Sequence, residues 1–251
     1  MRFLLFVSFA VFPLAPLRAE WTFTAPEPLR AVARLEFVKR EAGDGTRRVE
    51  MHVVTFRAKT HTFAVMDNPE RAFDLGSAAV KRGALAAVNG GYFHPDRTPL
   101  GLVVRQGATI HAMERAKLLS GLVVVTSDRV ALLRAGEFKM SAKVREALQA
   151  GPFLVDGGKV VAGLNDTRGA ARTVVITDGA GRFGLLIAKS ATLAEMAQIL
   201  ATPGIFPDGK ITRALNVDGG SSTAMWVKQD GSAYYAREWK GVRNYLAIVA
   251  R

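Results

Sequence analysis

The sequence predicts an α+β fold: mixed or antiparallel β-sheets with a few helices, in a single domain. Three observations predict it. Short apolar runs closed by glycine turns recur along the chain, as strands do. Only a few stretches carry helical signals, and they fall between the strands. No Pro-, Ser- or charge-rich linker divides the chain. The length of 251 residues suits one large domain. A content of 49% hydrophobic and 22% charged residues is globular and sufficient for a real core.

Residues 1–19 read as a secretory signal peptide. Met1-Arg2 is a short basic start, Phe3–Phe12 is apolar, and Arg18-Ala19 places a small residue at a cleavage point. The apolar run is shorter than the about 20 residues of a spanning helix, and Pro13 and Pro16 interrupt it. The expected mature domain is therefore 20–251, periplasmic or secreted, with no stable membrane insertion after cleavage. Residues 20–30 form an extended lead-in. Arg34–Lys39 and Val49–Arg57 are expected strands about Gly43-Asp44-Gly45, and His61–Met66 is a third. Leu75–Arg82 has helical spacing, with Asp74 as its cap and Gly83 as its stop. Ala84–Val88 is an apolar strand running into Asn89. Leu100–Arg105 pairs with Thr109–Ala112 about Gln106-Gly107, and Leu122–Thr126 with Arg129–Leu133 about Ser127-Asp128. Ser141–Gln149 reads as a short helix capped by Ser141. Pro152–Val155 and Val160-Val161 flank the turn Asp156-Gly157-Gly158, and Ala171–Thr177 and Phe183–Lys189 flank Asp178–Gly181. Thr192–Ala201 is the clearest helix. Thr192 and Glu195 form a capping box, and Leu193, Met196, Ile199 and Leu200 form its apolar stripe. Strands Ala214–Val217 and Asn244–Ala250 complete the pattern.

The chain has no cysteine, which excludes thiol nucleophiles, Cys-ligated zinc and a disulfide scaffold. The formal charge is +12, and loss of Arg2 and Arg18 with the leader lowers it to +10. That balance favours anionic partners. The basic residues are scattered, and no recognition helix or stacking-aromatic motif accompanies them, so nucleic acid is not expected. A phosphorylated or anionic glycan fits an exported protein better.

Four strand ends hold the residues able to carry chemistry: Asn89-Gly90-Gly91-Tyr92-Phe93, Ala150–Gly158, Arg172–Gly179 and Leu215–Trp226. The last begins and ends apolar, with Asp218, Gly219, Gly220, Ser221, Ser222 and Thr223 between. Strand ends with small polar residues present chemistry from a rigid scaffold. Consecutive N–H groups in a glycine turn can cradle an anion. A plain β-hairpin is the alternative, because Asp-Gly is a favoured hairpin turn.

Together and in this order, the four elements resemble the phosphodiester glycosidase family. Thr98–Val104 after the first element and the helix before the last extend the similarity, which covers about residues 84–250. The resemblance implies an α+β glycosidase domain that cleaves a sugar-1-phosphodiester, with the four elements converging on one pocket. The phosphate ester is a leaving group of low basicity. One essential carboxylate and a phosphate clamp can then replace the two carboxylates of ordinary glycosidases.

Asp218 is the expected carboxylate, as base or nucleophile, or else a turn residue bonded to its own backbone. Arg172 is the expected clamp, since a guanidinium fork matches phosphate oxygens. Gly219, Gly220, Ser221, Ser222 and Thr223 offer N–H and O–H groups to the same anion. Asn89 is placed to bond a sugar hydroxyl or to occupy an Asn-Gly turn, and Gly90 and Gly91 allow close backbone approach. Tyr92 and Phe93 stack on a sugar or join the core, and His94 is a possible acid or base. Gly151, Pro152 and Gly157 shape a pocket wall. Asp156 and Asp178 are turn residues or a second carboxylate. No cofactor is required by the sequence; Asp178 and Asp218 offer oxygen ligands to a hard cation such as calcium, without EF-hand spacing. Two other functions compete: a non-catalytic glycan-binding protein, and a cation-dependent phosphodiesterase.

Overall fold

Glycine turns fold the chain into three antiparallel sheets in the computed structural model, which describes residues 20–251. The signal-peptide expectation falls on residues 1–19, outside the described residues. The large sheet runs in the order Thr22–Phe23, Glu36–Gly43, Arg48–Arg57, Arg182–Ala191, Ala170–Thr177, Arg213–Asn216, Phe153–Asp156, Lys159–Val160, with Glu27–Leu29 beside Glu36–Gly43. A second sheet runs Val130–Arg134, Gly121–Thr126, Val144–Ala150, Val103–Arg105, Ala108–His111. The third runs Ser232–Ala236, Met225–Gln229, Ala86–Asn89, Asn244–Ala250, His61–Asp67. Alternating strand residues meet in one core shared by all three, with Val54 and Leu215 from the first, Val123 and Leu148 from the second, and Val88 and Leu246 from the third. This is the predicted α+β fold in one domain, and every strand pairing within it is antiparallel.

Two helices cover the outer faces. Helix α1, Leu75–Arg82, starts where the Asp74 side chain accepts the Ser77 N–H and stops at Gly83, whose φ of 69° only glycine adopts freely. Its Leu75 and Ala79 pack on Ala87 and Tyr245 of the third sheet. Helix α2, Leu193–Ala201, carries the expected capping box of Thr192 and Glu195. Met196, Ile199 and Leu200 lie on Leu154, Val174 and Ile176, on the outer face of the large sheet.

The expected helix Ser141–Gln149 is instead the strand Val144–Ala150, paired on both sides at the centre of the second sheet. Glu146 and Gln149 look like solvent-facing helical residues, yet both are buried. Glu146 accepts the Val65 N–H at 3.1 Å. The Gln149 amide accepts from Leu102 N and Glu114 N and donates to the carbonyls of Glu114 and Leu119. Distant backbone satisfies the two polar groups, and tertiary pairing overrides local propensity.

The hairpin alternative for Leu215–Trp226 also falls. Arg213–Asn216 belongs to the large sheet and Met225–Gln229 to the third. Between them the chain crosses from one sheet to the other through a short 3-10 turn, Gly220–Ser222.

Candidate active site

The crossing between sheets positions the site. The Asn216 N–H bonds the Pro152 carbonyl at 3.0 Å, Val217 N–H the Thr173 carbonyl at 2.9 Å, and Asp218 N–H the Gly90 carbonyl at 3.1 Å. Three consecutive residues are thus pinned to three of the four glycine-punctuated elements. The Asp218 carbonyl accepts from Asn89 Nδ2 at 2.7 Å. Asn89 Oδ1 accepts from the Thr173 hydroxyl at 2.7 Å and from Ala224 N–H at 3.1 Å. Asn89 has no exposed surface. Its amide brackets the Asp218 loop from behind and is not placed to touch a ligand directly, unlike the expected sugar contact.

Asp218 is half-buried, and its Oδ1 accepts the Gly219 N–H at 2.8 Å. Burial pushes its pKa above the usual carboxylate value, while the Ser222 hydroxyl and the Gly219 N–H pull the other way. No basic side chain comes within ion-pair distance of it among the described residues. Arg172 is the complementary case. Its Nε donates to the Ala191 carbonyl at 2.8 Å and its Nη2 to the Arg168 carbonyl at 2.7 Å, with no carboxylate partner among the described residues. Burial lowers its pKa. At Gly219 the backbones that carry them meet: a Cβ there would stand 2.8 Å from the Ala171 carbonyl oxygen and 3.9 Å from Arg172 Cα. Tyr92 lies in the field of both charges. Burial raises its phenol pKa most; Asp218 raises it further and Arg172 lowers it. The Tyr92 hydroxyl faces the carbonyls of Gly151 at 2.7 Å and Val217 at 3.1 Å, and its oxygen accepts from Asn216 Nδ2 at 2.9 Å.

Gly90 and Gly91 do approach something closely, and it is Asn244. A Cβ on Gly90 would run into the Asn244 amide and stand 2.9 Å from its carbonyl oxygen, and Gly91 N–H bonds Asn244 Oδ1 at 2.8 Å. Asn216, Thr173 and Asn244 therefore complete the site. Sequence reading passes over the last because its only signal is a polar residue heading an otherwise apolar strand. Asn216 Oδ1, Thr223 Oγ1 and Asn244 Nδ2 are buried without a hydrogen-bond partner.

A family profile described as phosphodiester glycosidase matches residues 82–249, about two thirds of the chain. The chain belongs to the phosphodiester glycosidase family. The fold agrees with that of the catalytic domain of zebrafish N-acetylglucosamine-1-phosphodiester alpha-N-acetylglucosaminidase, a structure auto-inhibited by its pro-peptide. The likeness covers 92% of this chain and 89% of that one, with a TM-score of 0.65 and 18% identity. A hypothetical protein from Synechocystis is similar over 86% of this chain and 62% of its own, with a TM-score of 0.58 and 17% identity. The uncharacterized protein YigE of Escherichia coli K12 is 31% identical over 81 residues, which are 30% of this chain and 32% of YigE. The chain thus spans about a third of that curated relative's length.

Not every expected residue of this phosphodiester glycosidase-family chain joins the site. His94 is exposed on the turn that follows the first element, and its N–H bonds the Thr98 carbonyl. Asp156 is held by Arg134 at 2.8 Å and Arg213 at 3.0 Å, and Asp178 accepts from Ala180 and Arg182 N–H. Both sit at the far ends of their strands, where Asp156 and Thr177 pair with Arg213. Asp178 and Asp218 are about 15–20 Å apart at roughly 3.3 Å per strand residue; they do not share one cation, and neither distal aspartate supplies a second carboxylate to the Asp218 site. Among the described residues, no group of three or more His, Asp or Glu is clustered as for a metal ion. A separate cleft of about 630 Å³ opens at that far end, lined by Arg57, Lys59, Arg129, Arg213 and Arg251 over Phe183. Scattered in sequence, these cations are gathered by the fold.

Proposed function

We propose that this protein is an exported hydrolase that cleaves the glycosidic bond of a sugar-1-phosphodiester in an envelope or extracellular glycan. The observation that carries the reading is the half-buried Asp218 carboxylate and the half-buried Arg172 guanidinium, neither neutralised by a partner among the described residues, on backbones that meet at Gly219. A substrate with one positive-going centre and one anionic group answers both: the anomeric carbon faces the carboxylate, and the phosphate faces the guanidinium. The short basic start and apolar run of residues 1–19 support export.

In this reaction Arg172 uses the guanidinium edge left free by the Ala191 and Arg168 carbonyls to hold non-bridging phosphate oxygens. Asp218 either takes a proton from the attacking water as the C–O bond to phosphate breaks, or attacks the anomeric carbon itself, in which case water then hydrolyses the glycosyl ester and restores the carboxylate. The bonding pair leaves on the phosphate oxygen, giving free sugar and a phosphomonoester. Asn89 and Tyr92 fix the loop without touching the reacting atoms. The zebrafish relative's name supplies a first substrate to try, an N-acetylglucosamine-1-phosphodiester.

The mature protein is incubated with that diester, with and without EDTA, and the products are identified. Free sugar plus phosphomonoester is expected. Sugar-1-phosphate plus free alcohol would show a phosphodiesterase instead, and binding without turnover a glycan-binding protein.

A further inference from the structure

Trp239 stands out among the three tryptophans. Trp21 and Trp226 are buried, whereas Trp239 is 91% exposed. It lies in the loop between Ser232–Ala236 and Asn244–Ala250, and its backbone N–H bonds the carbonyl of Ser221, three residues beyond Asp218 in the site loop, at 2.9 Å. The loop's stem is rigid. The neighbouring Glu238 carboxylate accepts from Leu75 N–H at 2.8 Å, Tyr245 hydroxyl at 3.0 Å and Tyr235 hydroxyl at 3.2 Å. Val242, on the other side, is buried. An indole left open to water forgoes the stabilisation that packing a large aromatic normally brings. Here the forgone packing is on a fixed backbone that is tied to the catalytic loop.

We propose that Trp239 is a stacking platform for a saccharide unit lying outside the pocket, so that the substrate continues as a glycan beyond the phosphodiester. The inference rests on the function proposed above. The C–H face of a pyranose is apolar and flat enough to cover an indole, and a ring with few rotatable bonds loses little entropy in offering that face. A side chain this exposed cannot enclose the sugar being cleaved. It can hold the part of the chain that projects from the site.

The test uses the Asp218→Asn protein, which holds substrate without turning it over, and two probes. One is N-acetylglucosamine-1-phosphate esterified to methanol; the other is the same sugar phosphate esterified to O6 of a methyl glucoside. The saccharide ester is expected to bind about tenfold more tightly and to shift tryptophan emission to the blue. Adding Trp239→Ala should remove the shift and the advantage while the methyl ester binds as before; Trp239→Phe should keep most of the advantage. In the otherwise native protein, Trp239→Ala should raise KM for the saccharide ester alone. Equal affinities for the two probes, or an equal loss for both in Trp239→Ala, would overturn the platform and leave the function standing. Failure of both probes to bind the Asp218→Asn protein would overturn both.

Discussion

Asp218 is kept costly by its surroundings. Burial raises its pKa in the folded protein, so between the unfolded carboxylate value and that raised value the native state holds more protons than the unfolded one, and stability falls as pH rises. Asp218→Asn should therefore abolish turnover and raise Tm at pH 7, by about 2–4 °C per kcal/mol recovered. The gain should shrink as pH falls through the raised native value towards the ordinary carboxylate value, because the wild-type carboxyl then takes up its proton and the costly buried charge is gone. Calorimetry across pH checks this; a variant that melts earlier than wild type at pH 7 would contradict it. Activity should fall in acid through a single ionisation lying above the ordinary aspartate value. For Arg172→Lys, loss of charged hydrogen bonds to phosphate predicts a kcat/KM about ten- to a hundredfold lower, read in steady-state kinetics. These two residues are legible in the sequence because Asp218 ends the run Leu215–Val217 and Arg172 opens a strand in another of the four elements, each in a stretch that resembles the family. Asn244 and Trp239 are not, since what they do depends on partners from Gly90, Gly91 and Ser221, far away in the chain.

At the scale of elements, glycine 90 is where strand packing and site geometry are one property. A methyl group there collides with Asn244, and the displaced Gly90 carbonyl is the acceptor that holds Asp218 N–H. Gly90→Ala should lower both Tm and kcat. Ile199→Ala in α2 separates the two effects. It should cost about 2–5 kcal/mol in urea unfolding, because Ile199 is fully buried, while the folded fraction keeps wild-type kcat and KM. Helix α2 was readable from its capping box, whose two bonds are local. The strand Val144–Ala150 was not, because Glu146 and Gln149 are satisfied by backbone from Val65, Leu102 and Glu114, and no local pattern announces such partners.

For the whole molecule, one core fills the space between three sheets, and the site lies where chain passes between them. Heat inactivation and loss of sheet signal in circular dichroism should therefore coincide, with no inactive folded state before the main transition. The charge of +12 and the basic cleft near Arg129 predict that binding of anionic glycans weakens as salt rises.

The Asp218 loop is tied by its N–H to Gly90, by its carbonyl to Asn89 and by its neighbour Val217 to Thr173. Such a cradle does not yield to what enters it. Any flattening of the pyranose on the way to an oxocarbenium-like state is borne by the sugar, and a planar-ring lactone analogue should outcompete the relaxed chair it mimics.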